Sequence, residues 1–197
     1  MKKYIFVIFL ISLLAAIPAK AQFAVGLRDT HYVNVQYTLK CNVNFRFEQS
    51  VYAEKLKYQY FRIYIGAKKT FGPLDISASP YFGMTYCNSY NNMGLDIDAT
   101  VKFLSRVAVQ GGFTPHYDSM LGYSSLWLGR LSVGITKQLL ITAAVTNRPE
   151  YREPETRIRG GFRFTVSNLW VQPEISIPTS GHQGRNVRVL ASMGYTF

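Results

Sequence analysis

The sequence predicts an all-β fold, an antiparallel up-and-down transmembrane β-barrel of twelve strands. Three observations predict it. Apolar and polar residues alternate with a period of two along most of the chain after residue 22. Turn residues interrupt that alternation roughly every 8 to 14 residues, a spacing that suits strands crossing a bilayer. The charged residues of the alternating segments collect on the parity opposite to the aliphatic and aromatic ones. In lipid an Arg or Lys on the outer face near the midplane costs about 2–4 kcal/mol, so this parity is expected to point inward.

The N-terminus reads as an export signal. Lys2 and Lys3 precede an apolar run from Tyr4 to Ile17 broken by Ser12. Pro18 ends that run, and Ala19-Lys20-Ala21 has the form of a cleavage site. The run is shorter than the ~20 residues a spanning helix needs. Residues 1–21 are therefore expected to be a cleaved signal peptide and residues 22–197 a single barrel domain. The signal holds three of the chain's 22 basic residues and none of its 11 acids, so the remainder keeps a net charge of +8. An exported chain with scattered basic residues does not fit a nucleic-acid partner. It fits anionic lipopolysaccharide around the barrel, or a basic lumen.

The elements follow in order. Phe23 to Leu27 is a short stretch turning at Asp29-Thr30. Val33 to Leu39 and Val43 to Val51 flank a turn at Lys40 to Asn42. Phe61 to Ala67 and Leu74 to Tyr86 flank Gly72-Pro73. A loop from Asn88 to Asn92 leads into Leu95 to Phe103. A turn at Leu104-Ser105-Arg106 opens Val107 to Phe113. After a loop near Asp118 to Gly122 come Tyr123 to Ile135, a Lys137-Gln138 turn and Leu139 to Val145. A charged loop from Arg148 to Glu155 precedes Ile158 to Val166. Val171 to Ile177 and a loop from Thr179 to Gly184 lead to the last strand. These make eleven segments, or twelve with the first stretch. An up-and-down meander closes by antiparallel pairing only with an even number, so twelve is expected, with ten the alternative if the first hairpin is peripheral. Pro80 and Pro173 fall inside strands, where each removes a ladder donor, and a bulge or wet rim is expected at each.

The inward parity collects Arg46, Glu48, Arg62, Asp75, Asp96, Asp98, Lys102, Arg130, Arg159, Arg163, Glu174 and Arg188. Confined in a lumen, these charges must pair. Arg46, Glu48 and Arg62 are expected to associate, and Arg159 and Arg163 to meet Glu174 across a hairpin. The cationic excess favours small anionic solutes if a water path remains. The chain has 14 tyrosines and 13 phenylalanines. Tyr32, Tyr37, Tyr60, Tyr86, Tyr117, Tyr123, Trp127, Trp170 and Tyr195 lie near strand ends, where aromatic girdles are expected.

The final strand places Val187, Val189, Ala191, Met193, Tyr195 and Phe197 on one face and ends on an aromatic residue. With the export signal, this resembles the outer-membrane β-barrel proteins of Gram-negative bacteria, porin-like in size. The resemblance implies outer-membrane localisation, a channel or structural role, and partners in outer-membrane lipid, lipopolysaccharide and the barrel-assembly machinery. It also makes Tyr195 and Phe197 the insertion signal.

Two other readings compete. Some small outer-membrane barrels are lipid-A deacylases, which use a His and a Ser. The three histidines are His31, His116 and His182, and only His116 has close company, in Pro115-His116-Tyr117-Asp118-Ser119. Asp118 shares its parity while Ser119 does not, and triads are normally assembled from separate segments. No catalytic role is expected. A lipocalin-like binding protein would turn its apolar face inward. No cofactor or metal motif stands out, since Asp96 and Asp98 alone are a weak calcium signal. Cys41 in a turn and Cys87 near the opposite rim are too far apart for a disulfide.

Overall fold

The computed structural model describes residues 22–29, 31–51, 60–86, 89–103, 106–148, 155–179 and 187–197. The expected signal peptide, Cys87 and His182 lie outside the described residues. Twelve strands follow one another: β1 (Gln22–Arg28), β2 (Tyr32–Thr38), β3 (Val43–Ser50), β4 (Tyr60–Phe71), β5 (Leu74–Thr85) and β6 (Asn91–Phe103). β7 (Val107–Asp118), β8 (Gly122–Gly134), β9 (Leu139–Thr146), β10 (Arg157–Val166), β11 (Leu169–Pro178) and β12 (Arg188–Thr196) complete the series.

Each strand pairs antiparallel with its chain neighbours, and β1 pairs with β12 to close the barrel. The closing register sets Ala24 opposite Thr196 and Leu27 opposite Met193. The first hairpin is thus part of the wall, and the barrel has twelve strands rather than ten.

Short turns and longer loops segregate to opposite ends. At the end that holds the start of β1 and the end of β12, two turns have only two residues, Gly72-Pro73 and Ser167-Asn168. Gly72 has φ 57° at the first of its two positions, where only glycine is free of strain and where a two-residue hairpin of this hand needs it.

Alternation divides the wall as expected. Ile63, Ile65, Phe82, Phe113, Leu131, Phe162, Phe164 and Ile175 are all exposed on the outer surface. The buried set inside is mostly polar and includes Glu48, Asn92, Thr114, Arg159 and Glu174. A contiguous apolar exterior of this size needs a membrane around it. It also overturns the lipocalin-like alternative, whose apolar face would point inward.

Two expectations change in detail. Asn91 and Asn92 belong to β6, pairing with Met84 and Gly83, rather than to the preceding loop. Asparagine signals a turn in water, but Asn92 points into the polar lumen, fully buried, where its amide is accepted equally well, and Asn91 lies at the strand's rim. The prolines need neither bulge nor rim. Pro80 keeps Leu95 as its β6 partner, while the β4 ladder skips from Tyr64–Tyr81 to Ala67–Ala78 with no change of register. Pro173 likewise keeps Ala191, and the β10 ladder skips from Gly161–Glu174 to Phe164–Val171. Each missing donor opens a short gap on one side of its strand only.

Candidate functional site: the barrel lumen

The inward charges surround a cavity of about 410 Å³ within the barrel. Arg46, Arg62, Asp96, Asp98, Arg130, Arg159, Arg163 and Glu174 border it. Glu48 is buried in the wall at 2% exposure. Asp75 and Lys102 sit away from the cavity at the turn-bearing end, where Asp75 accepts Lys102 at 2.8 Å, Lys68 at 3.0 Å and the Thr70 hydroxyl at 2.6 Å. Arg188 is half-buried at the start of β12, opposite Ser176.

The pairing partners differ from those read along neighbouring strands. Glu48 and Arg62 are opposite in the β3–β4 register, yet Glu48 takes Arg28 of β1 at 3.0 Å and the Tyr64 hydroxyl at 3.1 Å. Arg46 reaches Asp96 at 3.8 Å. Arg159 turns to Asp29 at 3.3 Å, and Glu174 faces Arg130 at 3.7 Å rather than Arg159 or Arg163. Arg148, at the end of β9, folds inward to Asp98 at 3.1 Å. All five pairs join elements that share no ladder. The cause is curvature: inward side chains on a closed wall converge toward the axis, so elements two or three apart come within reach. Such chords brace the barrel and narrow its bore.

Room for one chord is made by Gly112. A Cβ there would stand 2.3 Å from Asp98 Oδ1 and 2.6 Å from Arg148 Nη2. Sequence reading missed Arg28, Asp29 and Arg148, because all three sit at strand ends, where alternation is too short to assign a face.

Arg62 and Arg163 make no ion pair with any described carboxylate; the lumen pairs are made by other arginines. Aromatic rings hold them instead. The Arg62 guanidinium lies 5.2 Å from the Tyr60 ring and 5.1 Å from the Tyr81 ring, and its Nε donates to Asn92 Oδ1 at 3.0 Å. Arg163 stacks 4.1 Å over Trp170. A stacked guanidinium gains about 0.5–2 kcal/mol from the ring while its N–H edges remain available to an anion. Arg46 over Tyr64 at 3.8 Å and Arg28 over Tyr32 at 4.6 Å repeat the device.

Tyr32, Tyr60 and Trp170 therefore leave the expected girdles. The first two are buried, with the Tyr60 hydroxyl donating to that of Tyr32 at 2.8 Å. Parity would have placed them, since Tyr60 shares its face with Arg62 and Trp170 with Glu174. Tyr123 and Tyr195 are exposed, and Tyr117 pairs with Tyr123 at 4.9 Å between ring centres.

His116, Asp118 and Ser119 do not converge. The Tyr81 hydroxyl meets His116 Nδ1 at 2.6 Å. Asp118 accepts the Tyr90 hydroxyl and the amides of Met120 and Leu121, and Ser119 Oγ accepts the Asn91 amide. Burial, and then the bond to Asp118, hold the Tyr90 phenol well above the usual tyrosine range. These contacts order the loop-bearing rim. Asp96 and Asp98 are each engaged by an arginine, and no group of three metal-ligating side chains occurs among the described residues.

No protein-family model matches the sequence, and no curated protein matches it. Solved structures do match. The barrel shares its fold with KdgM porin. The structure of KdgM porin in complex with disordered oligogalacturonate aligns with a TM-score of 0.68 at 10% identity, covering 90% of this chain and 98% of that one. A second KdgM porin structure aligns with a TM-score of 0.65 at 12% identity and the same coverage. At these identities the likeness is one of backbone architecture.

Proposed function

We propose that this protein is an outer-membrane, porin-like channel whose narrow basic lumen favours small anionic solutes, without enzymatic activity. The observation that carries the reading is the charge inventory of the cavity. Seven arginines border it against Asp29, Asp96, Asp98 and Glu174, and two of the seven, Arg62 and Arg163, have no carboxylate partner among the described residues. Inward basic charge in a confined, low-dielectric bore lowers the barrier for anions and raises it for cations. The shared fold with a porin seen in complex with oligogalacturonate, a polyanion, supports the same class of solute. Export through a signal peptide at residues 1–21, and insertion guided by Tyr195 and Phe197, belong to the same reading. The surrounding partners are then outer-membrane lipid, lipopolysaccharide and the barrel-assembly machinery.

Reversal potential in a salt gradient across a planar bilayer tests this. The wild type is expected to be anion-selective. Arg62→Glu combined with Arg163→Glu is expected to bring selectivity to neutral or cationic, since each change replaces a positive charge by a negative one. Cation selectivity in the wild type would reject the reading. A barrel that inserts but never conducts would leave the chords as a purely structural brace.

A further inference from the structure

The two mouths of the barrel differ in charge. At the far end, the described residues outside the strands carry both signs, Asp29 and Glu155 against Arg148. The turn-bearing end holds Lys40, Lys68, Lys69, Lys102, Arg106 and Lys137 against a single carboxylate, Asp75. Lys68 and Lys102 already neutralise Asp75 at 3.0 and 2.8 Å. Lys40, Arg106 and Lys137 remain, all exposed, and no described carboxylate pairs with them; Lys69 has the outward parity of Ile63 and Ile65 and lies 5.1 Å over the Phe71 ring on the outer wall. The three sit in the turns that join β2 to β3, β6 to β7 and β8 to β9, so the excess charge is spread around this mouth instead of clustering on one side. The next basic groups inward, Arg46, Arg130 and Arg163, border the cavity, the last with no carboxylate partner among the described residues, and continue the same sign.

We propose that this mouth is an anion-collecting vestibule that makes conduction directional. The inference rests on the channel reading above. At about 0.1 M salt the fields of the three cations reach ~10 Å into the opening, while at about 1 M they reach only ~3 Å. These fields concentrate anions and turn cations back at this mouth. The lumen beyond keeps the same preference but weaker, because five of its seven arginines are paired with carboxylates, so it admits cations more readily than this mouth does. When the voltage drives anions from the turn-bearing mouth inward, cations moving the other way are halted there. Both then accumulate in the bore, and current is high. With the voltage reversed, the vestibule supplies no cations, the bore is depleted, and current falls.

Cys41 supplies the reporter. It is exposed, has no disulfide partner, and adjoins Lys40 in the β2–β3 turn. In a Cys87→Ser background, a membrane-impermeant thiol reagent added to one chamber identifies which side this mouth faces. Currents at about +100 and −100 mV in ~0.1 M symmetric KCl are expected to differ roughly twofold, larger when chloride enters through the turn-bearing mouth, and to become equal near 1 M. A methanethiosulfonate carrying a sulfonate on Cys41 is expected to reduce the asymmetry, and one carrying a trimethylammonium to increase it. The threefold variant Lys40→Gln, Arg106→Gln, Lys137→Gln is expected to abolish it while keeping anion selectivity. An open channel with symmetric currents, or asymmetry that survives the threefold variant, overturns the vestibule and leaves the channel standing. Absence of any conductance overturns both.

Discussion

At the residue scale, the lumen depends on small side chains as much as on charged ones. Gly112 is the clearest case, because the Asp98 carboxylate and the Arg148 guanidinium occupy the space its side chain would fill. Both clashing groups are the far ends of flexible side chains, so a side chain there would part the pair while leaving the backbone of the wall in place. Gly112→Val is expected to separate the pair and destabilise the barrel by about 0.5–1 kcal/mol, the scale of a partly exposed ion pair. The check is the urea midpoint of the folded, heat-modifiable gel band. An unchanged midpoint would mean that the Arg148–Asp98 chord does not brace the wall.

At the scale of the element, β12 does two jobs that separate experiments can divide. It closes the barrel against β1, with the Phe197 amide donating to the Phe23 carbonyl at 2.8 Å and the two rings 5.6 Å apart. In the proposed assembly role, the same outward aromatics, Tyr195 and Phe197, present the insertion signal. Tyr195→Asp with Phe197→Asp is expected to lower the folded outer-membrane yield severalfold in cells while leaving refolding into detergent micelles much less affected. Equal loss in both settings would assign the two residues to seam closure alone. Normal cellular yield would reject the assembly role.

At the scale of the whole molecule, the single decision that organises everything is which face of the sheet points inward. Phe162 and Phe164 are about half exposed on the outside, at 48% and 47%, while Arg163 between them borders the cavity. In a Cys41→Ser, Cys87→Ser background, Arg163→Cys is expected to react with a water-soluble, impermeant thiol reagent in membranes. Phe162→Cys and Phe164→Cys are expected to be at least tenfold slower, because lipid excludes the reagent. The opposite pattern would place water outside and the apolar face within.

Much of this was legible beforehand, and the reason is geometric. A strand's side-chain period of two is set by the backbone, and lipid imposes a sharp penalty for error, so residues such as Ile63, Arg62 and Phe164 reveal their faces without any tertiary knowledge. Even strand number, turn positions and the basic excess follow from the same alternation. Partner choice does not. Glu48 meets Arg28 instead of Arg62, and Arg159 meets Asp29 instead of Glu174, because curvature brings together inward groups that no ladder connects. Arg148 was read as a loop residue because nothing local marks the inward fold at the end of β9. Local alternation and the bilayer's aversion to charge determined the architecture; convergence on the axis of a closed wall decided which charges are spent on one another and left Arg62 and Arg163 of the cavity with no carboxylate among the described residues.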